Sequence, residues 1–164
     1  MRPHSAITVA QQTTGKGELC RRILKSLPEW FGIPESIENY ASDAESLPMF
    51  VAMNGKSTVG FISLKFNTGV SAEAYVLGVM REWHRQGVGR VLFAAAGEAA
   101  SERGAKYLTV KTLAADHPSP HYAATRRFYE AIGFDPIEVF PTLWHPSNPC
   151  LLMLKPLVRP NQAT

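Results

Sequence analysis

The stretch E-A-Y-V-L-G-V-M-R-E-W-H-R-Q-G-V-G-R, Glu73 to Arg90, decides how the rest of the chain is read. Its first half, Glu73 to Met80, is short, apolar and strand-like. The second half turns through His84, Arg85, Gln86, Gly87, Val88 and Gly89 and predicts a helix opening at about Arg90. A strand feeding a glycine loop at a helix start is a device for holding phosphates. The N–H groups of the first helical turn lack intrahelical partners, and the helix dipole adds positive charge there. Gly87 and Gly89 permit left-handed backbone and leave no Cβ in the way of an anion. Arg81, Arg85 and Arg90 flank the loop with positive charge.

Working outward from this stretch gives the order of elements. Upstream, Met49 to Met53 and Thr58 to Phe66 read as strands around Asn54-Gly55, a hairpin signal. A second turn at Asn67-Thr68-Gly69 leads into Glu73, so the three strands form an antiparallel meander. Before them, Ala6 to Val9 predicts a first strand. Leu19, Cys20, Ile23, Leu24 and Leu27 then repeat at helical spacing up to Pro28. A second helix falls within Glu29 to Ser46. Trp30 and Phe31, between the two helices, sit on a segment too apolar for a plain linker and suit core, lid or acceptor contact.

Downstream, a helix from Arg90 to Arg103 presents Val91, Leu92, Ala95 and Ala99 on one face and stops at Gly104. Gly97 inside it suggests close packing on the sheet. Tyr107 to Thr112 follows as a strand parallel to Glu73–Val79, since a helix crosses between them. Ser119 caps a helix from Pro120 to Ile132 with Gly133 as its stop. Ile137 to Phe140 and Leu151 to Leu154 are the last strands, joined by a long Pro-rich loop carrying Trp144 and His145. The fold class is α/β (α+β) in the order β-α-α-β-β-β-α-β-α-β-β, with no repeat, so residues 1–164 are expected to be one domain.

Three phosphate loops compete for the central stretch. No G-x-x-x-x-G-K-[ST] string is present, and Leu92 stands where the third glycine of a G-x-G-x-x-G loop belongs. The third loop fits. His84, Arg85, Gln86, Gly87, Val88 and Gly89 resemble the pyrophosphate loop Q/R-x-x-G-x-G/A of the GNAT superfamily of acyl-CoA-dependent N-acetyltransferases, with His84 in place of Gln or Arg. Thr125 to Phe134, T-R-R-F-Y-E-A-I-G-F, resembles the late helix of the same superfamily (N-x-x-A-x-x-L/F-Y-x-x-x-G-F). Phe128, Tyr129, Gly133 and Phe134 match; Tyr122 and Thr125 replace the Asn and Ala. The order of elements is also that of the GNAT fold, a mixed, mostly antiparallel central sheet flanked by helices.

The resemblance implies transfer of acetyl from acetyl-CoA directly to a primary amine of a small molecule or peptide, with no covalent enzyme intermediate. It implies that Val79 and Met80 take the pantetheine arm strand-like, that His84 to Arg90 take the pyrophosphate, and that Tyr122 lines the cleft. It also implies that Tyr129 protonates the departing thiolate, a role suited to a phenol of pKa near 10. An ammonium must lose a proton before it attacks, and Glu73 is the candidate base, alternatively an exposed residue at a strand end. Trp30, Phe31, the turn from Phe66 to Ser71 and the Trp144 loop are expected to build the acceptor pocket. The alternative is a non-catalytic acyl-CoA sensor, which would need the loop but neither Glu73 nor Tyr129.

Composition narrows the remaining classes. Apolar content of 45% and charged content of 19% are those of a soluble globular protein. Cys20 and Cys150 lie far apart with no C-x-x-C spacing, and prolines interrupt the His117/His121 pair, so no metal is expected. The net charge of +3 is spread along the chain, which does not make a nucleic-acid patch; Arg126-Arg127 reads as a solvated helix face or a phosphate contact. The N-terminus M-R-P-H-S-A-I-T-V lacks an apolar signal core and no run reaches membrane-spanning length. The expectation is a cytoplasmic enzyme with a small-molecule amine acceptor, no nucleic-acid or membrane partner, and a homodimer left open as its assembly.

Overall fold

A computed structural model describes residues 6–157. The elements are β1 (Thr8–Gln12), α1 (Lys16–Lys25), α2 (Pro34–Ala44), β2 (Met49–Asn54), β3 (Ser57–Phe66), β4 (Ser71–Val79), α3 (Val88–Glu102), β5 (Tyr107–Leu113), α4 (Pro120–Ala131), β6 (Asp135–His145) and β7 (Asn148–Pro156). The strands follow the order β1-β2-β3-β4-β5-β7-β6 in a seven-stranded, mostly antiparallel sheet. Kind and order of every element are those expected from the sequence.

The described residues form two compact units, one from residues 6–65 with Ala74–Ala99, the other from Phe66–Glu73 with residues 100–157. In the first, α1 buries Cys20, Ile23 and Leu24; it ends at Lys25, earlier than the spacing up to Pro28 predicted, and Leu27 is buried just past its end. They join Ile37 of α2 and Met49, Val51, Phe61 and Val76 of the strands in one apolar cluster. Two glycines allow helices to approach the strands closely. A Cβ on Gly78 would lie 3.0 Å from Ile23 Cγ2, and one on Gly60 would lie 3.2 Å from both Val88 Cγ1 and Leu92 Cδ1. Helix α3 therefore starts against β3 at a point where an added methyl would be crowded.

In the second unit β4 pairs with β5 in parallel, with Glu73 opposite Thr109, and β5 pairs antiparallel with β7. Leu108, Val110, Phe134, Cys150 and Met153 are buried there. Gly133, at φ 107°, ends α4, and Phe134 N–H returns to Tyr129 O at 3.0 Å.

Three expectations need correction. Helix α3 starts at Val88 rather than Arg90, so Gly89 is helical and, of the two glycines, Gly87 alone, at φ 81°, uses left-handed backbone. The buried stripe of α3 is Val88, Leu92, Phe93, Ala96 and Ala100, while Val91 is exposed. The run V-L-F-A-A-A is apolar on every side, so its periodicity does not fix the phase. The Pro-rich segment after Phe140 is strand, not loop: β6 and β7 form a long hairpin turning at Pro146-Ser147, and Trp144 and His145 lie on β6. Pro136 and Pro141 fit because β6 is the edge strand, where a missing N–H costs no ladder bond, and the ladder shifts register around them.

Candidate active site

The end of β4 and the start of α3 are joined by a 3-10 turn over Arg81–Trp83 and a loop over residues 84–87. Two residues of this loop, Arg85 (φ 61°) and Gly87 (φ 81°), are left-handed. For Arg85 that conformation costs on the order of 1–2 kcal/mol, so the surrounding contacts must hold it. Apart from Gly87 itself and its two chain neighbours, no atom lies within 4 Å of the point a Cβ on Gly87 would occupy, so the loop is open above this residue. The first intrahelical bond of α3 is Val91 N–H to Gly87 O at 3.2 Å. The amides of Val88, Gly89 and Arg90 thus have no carbonyl one turn earlier within the helix. Arg85 and Arg90 are exposed beside them, whereas Arg81 is paired with Glu29, which pushes its guanidinium pKa upward.

His84 does not reach outward. Its Nε2–H donates to Val79 O at 2.7 Å, which assigns the proton to that nitrogen because a carbonyl can only accept. Gln86 is likewise turned back on the loop, donating to Glu82 O at 2.8 Å. The Met80 N–H donates to Val59 O at 2.8 Å and its carbonyl accepts from Trp83 N–H at 2.9 Å, so both main-chain groups of Met80 are engaged within the chain. Strand alternation then directs the main-chain groups of Val79 away from β3. After the His84 bond, Val79 O still has its second lone pair to offer.

In the other unit Glu73 is buried, at 4% exposure, and is not a solvated strand-end residue. Its Oε1 accepts from Asn67 Nδ2 at 2.9 Å, and Lys111 Nζ lies 3.2 and 3.3 Å from its two oxygens. Neither partner was singled out in the sequence. A signal existed for one of them, since Lys111 is the only charge in the strand Y-L-T-V-K-T-L. Asn67 sits in the β3–β4 turn, which Thr68 Oγ1 closes by accepting from Val70 and Ser71 N–H.

Helix α4 is capped as expected. Ser119 Oγ accepts from Tyr122 N–H at 3.4 Å, and Pro120 takes the first helical position. Tyr122 and Thr125 are half-buried and Tyr129 is buried on the same helix. The Tyr129 ring packs against Phe128 and Phe134 with centroids 5.9 and 5.8 Å away. Arg126 is half-buried rather than fully solvated: its Nη1 donates to Leu113 O at 2.7 Å at the end of β5, while Arg127 is exposed. Among the described residues no group of three or more His, Cys, Asp or Glu side chains could hold a metal ion, and no helix is long and apolar enough to cross a membrane. Both cysteines are free and buried; burial pushes the Cys20 thiol up to about 12 and the Cys150 thiol to about 11.

This architecture, with a glycine loop opening the third helix after the fourth strand, is that of an acyltransferase. The chain belongs to the GNAT acetyltransferase family: residues 45–136, more than half of its 164, match the family model of the acetyltransferase (GNAT) domain. No curated protein sequence matches the chain significantly. Among solved structures it is similar to a protein of Desulfovibrio desulfuricans assigned to the GNAT family, with 20% identity over 93% of this chain and 100% of that one and a TM-score of 0.77. It is also similar to the ribosomal-protein-S18-alanine N-acetyltransferase of Escherichia coli (20% identity, 97% and 99% covered, TM-score 0.72). A third similar structure is an aminoglycoside 6′-N-acetyltransferase complexed with coenzyme A (16% identity, 92% and 97% covered, TM-score 0.73). At these identities the likeness is one of fold.

Proposed function

We propose that this chain works as one catalytic domain that moves acetyl from acetyl-CoA to a primary amine of a small molecule. The observation that carries the reading is the open loop at Gly87, with the amides of Val88, Gly89 and Arg90 at a helix start and two exposed arginines beside them. This is the chemistry a pyrophosphate needs: backbone donors, partial positive charge and no Cβ in the way. The coenzyme A complex of a similar fold supports it. The main chain of Val79 takes the pantetheine arm. Acetyl-CoA supplies an activated thioester; the residues of the chain supply proton transfer. Glu73, its carboxylate oriented by Asn67 and Lys111, takes the proton of the incoming ammonium directly or through water. Tyr129 gives a proton to the departing thiolate. Two free, buried cysteines suit a reducing compartment such as the cytoplasm.

Two measurements test this. Thiol release from acetyl-CoA is followed against a panel of polyamines, amino acids, aminoglycosides and peptide amines, and turnover with a small amine is expected. Thermal melts should show CoA and acetyl-CoA, but not NADH, raising Tm by roughly 5–10 °C at a hundredfold excess over Kd, which corresponds to about 2.7 kcal/mol. Gly89→Asp places an anion in the first turn of α3, where it suits the dipole but repels a pyrophosphate. The variant should melt no lower than wild type and lose the shift. A shift with NADH instead of CoA overturns the loop assignment; a CoA shift without turnover on any amine favours an acyl-CoA sensor.

A further inference from the structure

The segment joining α1 to α2 is fastened to the β4–α3 connection by three successive contacts. Ser26 Oγ lies 3.8 Å from Met80 Sδ, Glu29 pairs with Arg81, and the Trp30 ring meets His84 edge-on, with centroids 5.5 Å apart and planes at 78°. His84 in turn holds Val79 O and directly precedes Arg85, the left-handed residue whose backbone requires support. A ring packed on one side and hydrogen-bonded on the other has little freedom left, so Trp30 restrains the loop through His84 although it is remote from the loop in sequence.

We propose that Trp30 is a positioning residue for acetyl-CoA: its contact with His84 pre-organises the 84–89 loop, and filling the loop in turn orders the α1–α2 segment. The proposal rests on the reading that this loop takes acetyl-CoA. The coupling is reciprocal, since any free energy the segment gives to binding at the loop is returned as added order in the segment. A family Gln or Arg at position 84 would lack the ring that Trp30 meets, so this route is a property of His84 in this chain.

The test is the acetyl-CoA Kd of wild type, Trp30→Leu, His84→Gln, His84→Ala and the Trp30→Leu/His84→Gln double variant, each with its ligand-free Tm. Trp30→Leu and His84→Gln should each raise Kd about three- to tenfold, the size of one edge-to-face contact. The double variant should bind no worse than either single one, because both remove the same contact. His84→Ala should bind more weakly than His84→Gln, whose amide can still donate to Val79 O. In wild type, hydrogen exchange of residues 26–33 should slow when acetyl-CoA is added, a readout that does not depend on how the variants fold. Wild type that fails to bind acetyl-CoA sinks the loop assignment itself. Wild type that binds while residues 26–33 exchange unchanged, or additive losses in the double variant, overturns the positioning role alone.

Discussion

Replacing Lys111 by Met separates the two roles open to Glu73. The Glu73 carboxylate is 4% exposed and is held by Lys111 Nζ at 3.2 and 3.3 Å and by Asn67 Nδ2 at 2.9 Å. Lys111→Met keeps most of the apolar stem and removes the ammonium, leaving a buried carboxylate with one neutral donor. Breaking a fully buried pair in this way costs about 3–5 kcal/mol. The Lys111 side chain is 34% exposed, so water screens its end of the pair, and the cost expected here is about 2–3 kcal/mol. For a chain of this length that is a fall in Tm of roughly 4–12 °C. Adding Glu73→Gln removes the stranded charge and should restore at least half of the loss, a coupling that independent sites would not show. Urea and thermal melts of the four proteins in the cycle measure the stability, and kcat at saturating acetyl-CoA measures the chemistry. If Glu73 takes the proton of the amine, the double variant is stable while its kcat falls about 10²–10⁴-fold. If the carboxylate is only structural, activity returns with stability. A Lys111→Met protein melting within about 1 °C of wild type refutes the pair as a source of stability. A stable, fully active double variant refutes Glu73 as the base.

Tyr129→Phe should lower kcat by about 10²–10⁴-fold with acetyl-CoA affinity nearly unchanged; full activity by thiol release would transfer the proton to water or Tyr122. Gly60→Ala places a Cβ 3.1 Å from the fixed Gly78 carbonyl and 3.2 Å from Val88 and Leu92. Overpacking of about 1–3 kcal/mol, less about 0.4–1 kcal/mol from the stiffer unfolded chain, should leave a net loss in urea melts. Because Val88 opens α3, the same variant should bind acetyl-CoA more weakly by calorimetry. Cys20 and Cys150 should resist a thiol reagent in the native protein at pH 8 and react once it is denatured. Burial raises both thiols in the fold, to about 12 and about 11 from an ordinary value of 9.0. Their contribution is therefore intact below about pH 9 and declines as pH climbs from there toward 11–12, which urea midpoints at pH 8 and about pH 10.5 would reveal.

The sequence by itself determined the elements, because each carries a local signal. Apolar spacing from Leu19 to Leu24 made a helix, Asn54-Gly55 a hairpin, and Ser119-Pro120 and Gly133 the two ends of α4. It determined the loop as well, since a glycine pair between a strand and a helix is contiguous chemistry. What it left open depended on residues distant along the chain. The phase of α3 was decided by packing on Gly60, because an all-apolar run offers its faces equally. The β6–β7 hairpin was hidden by its prolines; Pro136 and Pro141 are accommodated because β6 is the edge strand, and edge position is a property of the whole sheet. The direction of His84, turned back on Val79 beneath Trp30, and the fastening of Glu73 by Lys111 and Asn67 were set by tertiary structure alone. A side chain's hydrogen-bond partner is chosen by what the fold brings within 3 Å or so of it, and spacing along the sequence does not encode that distance.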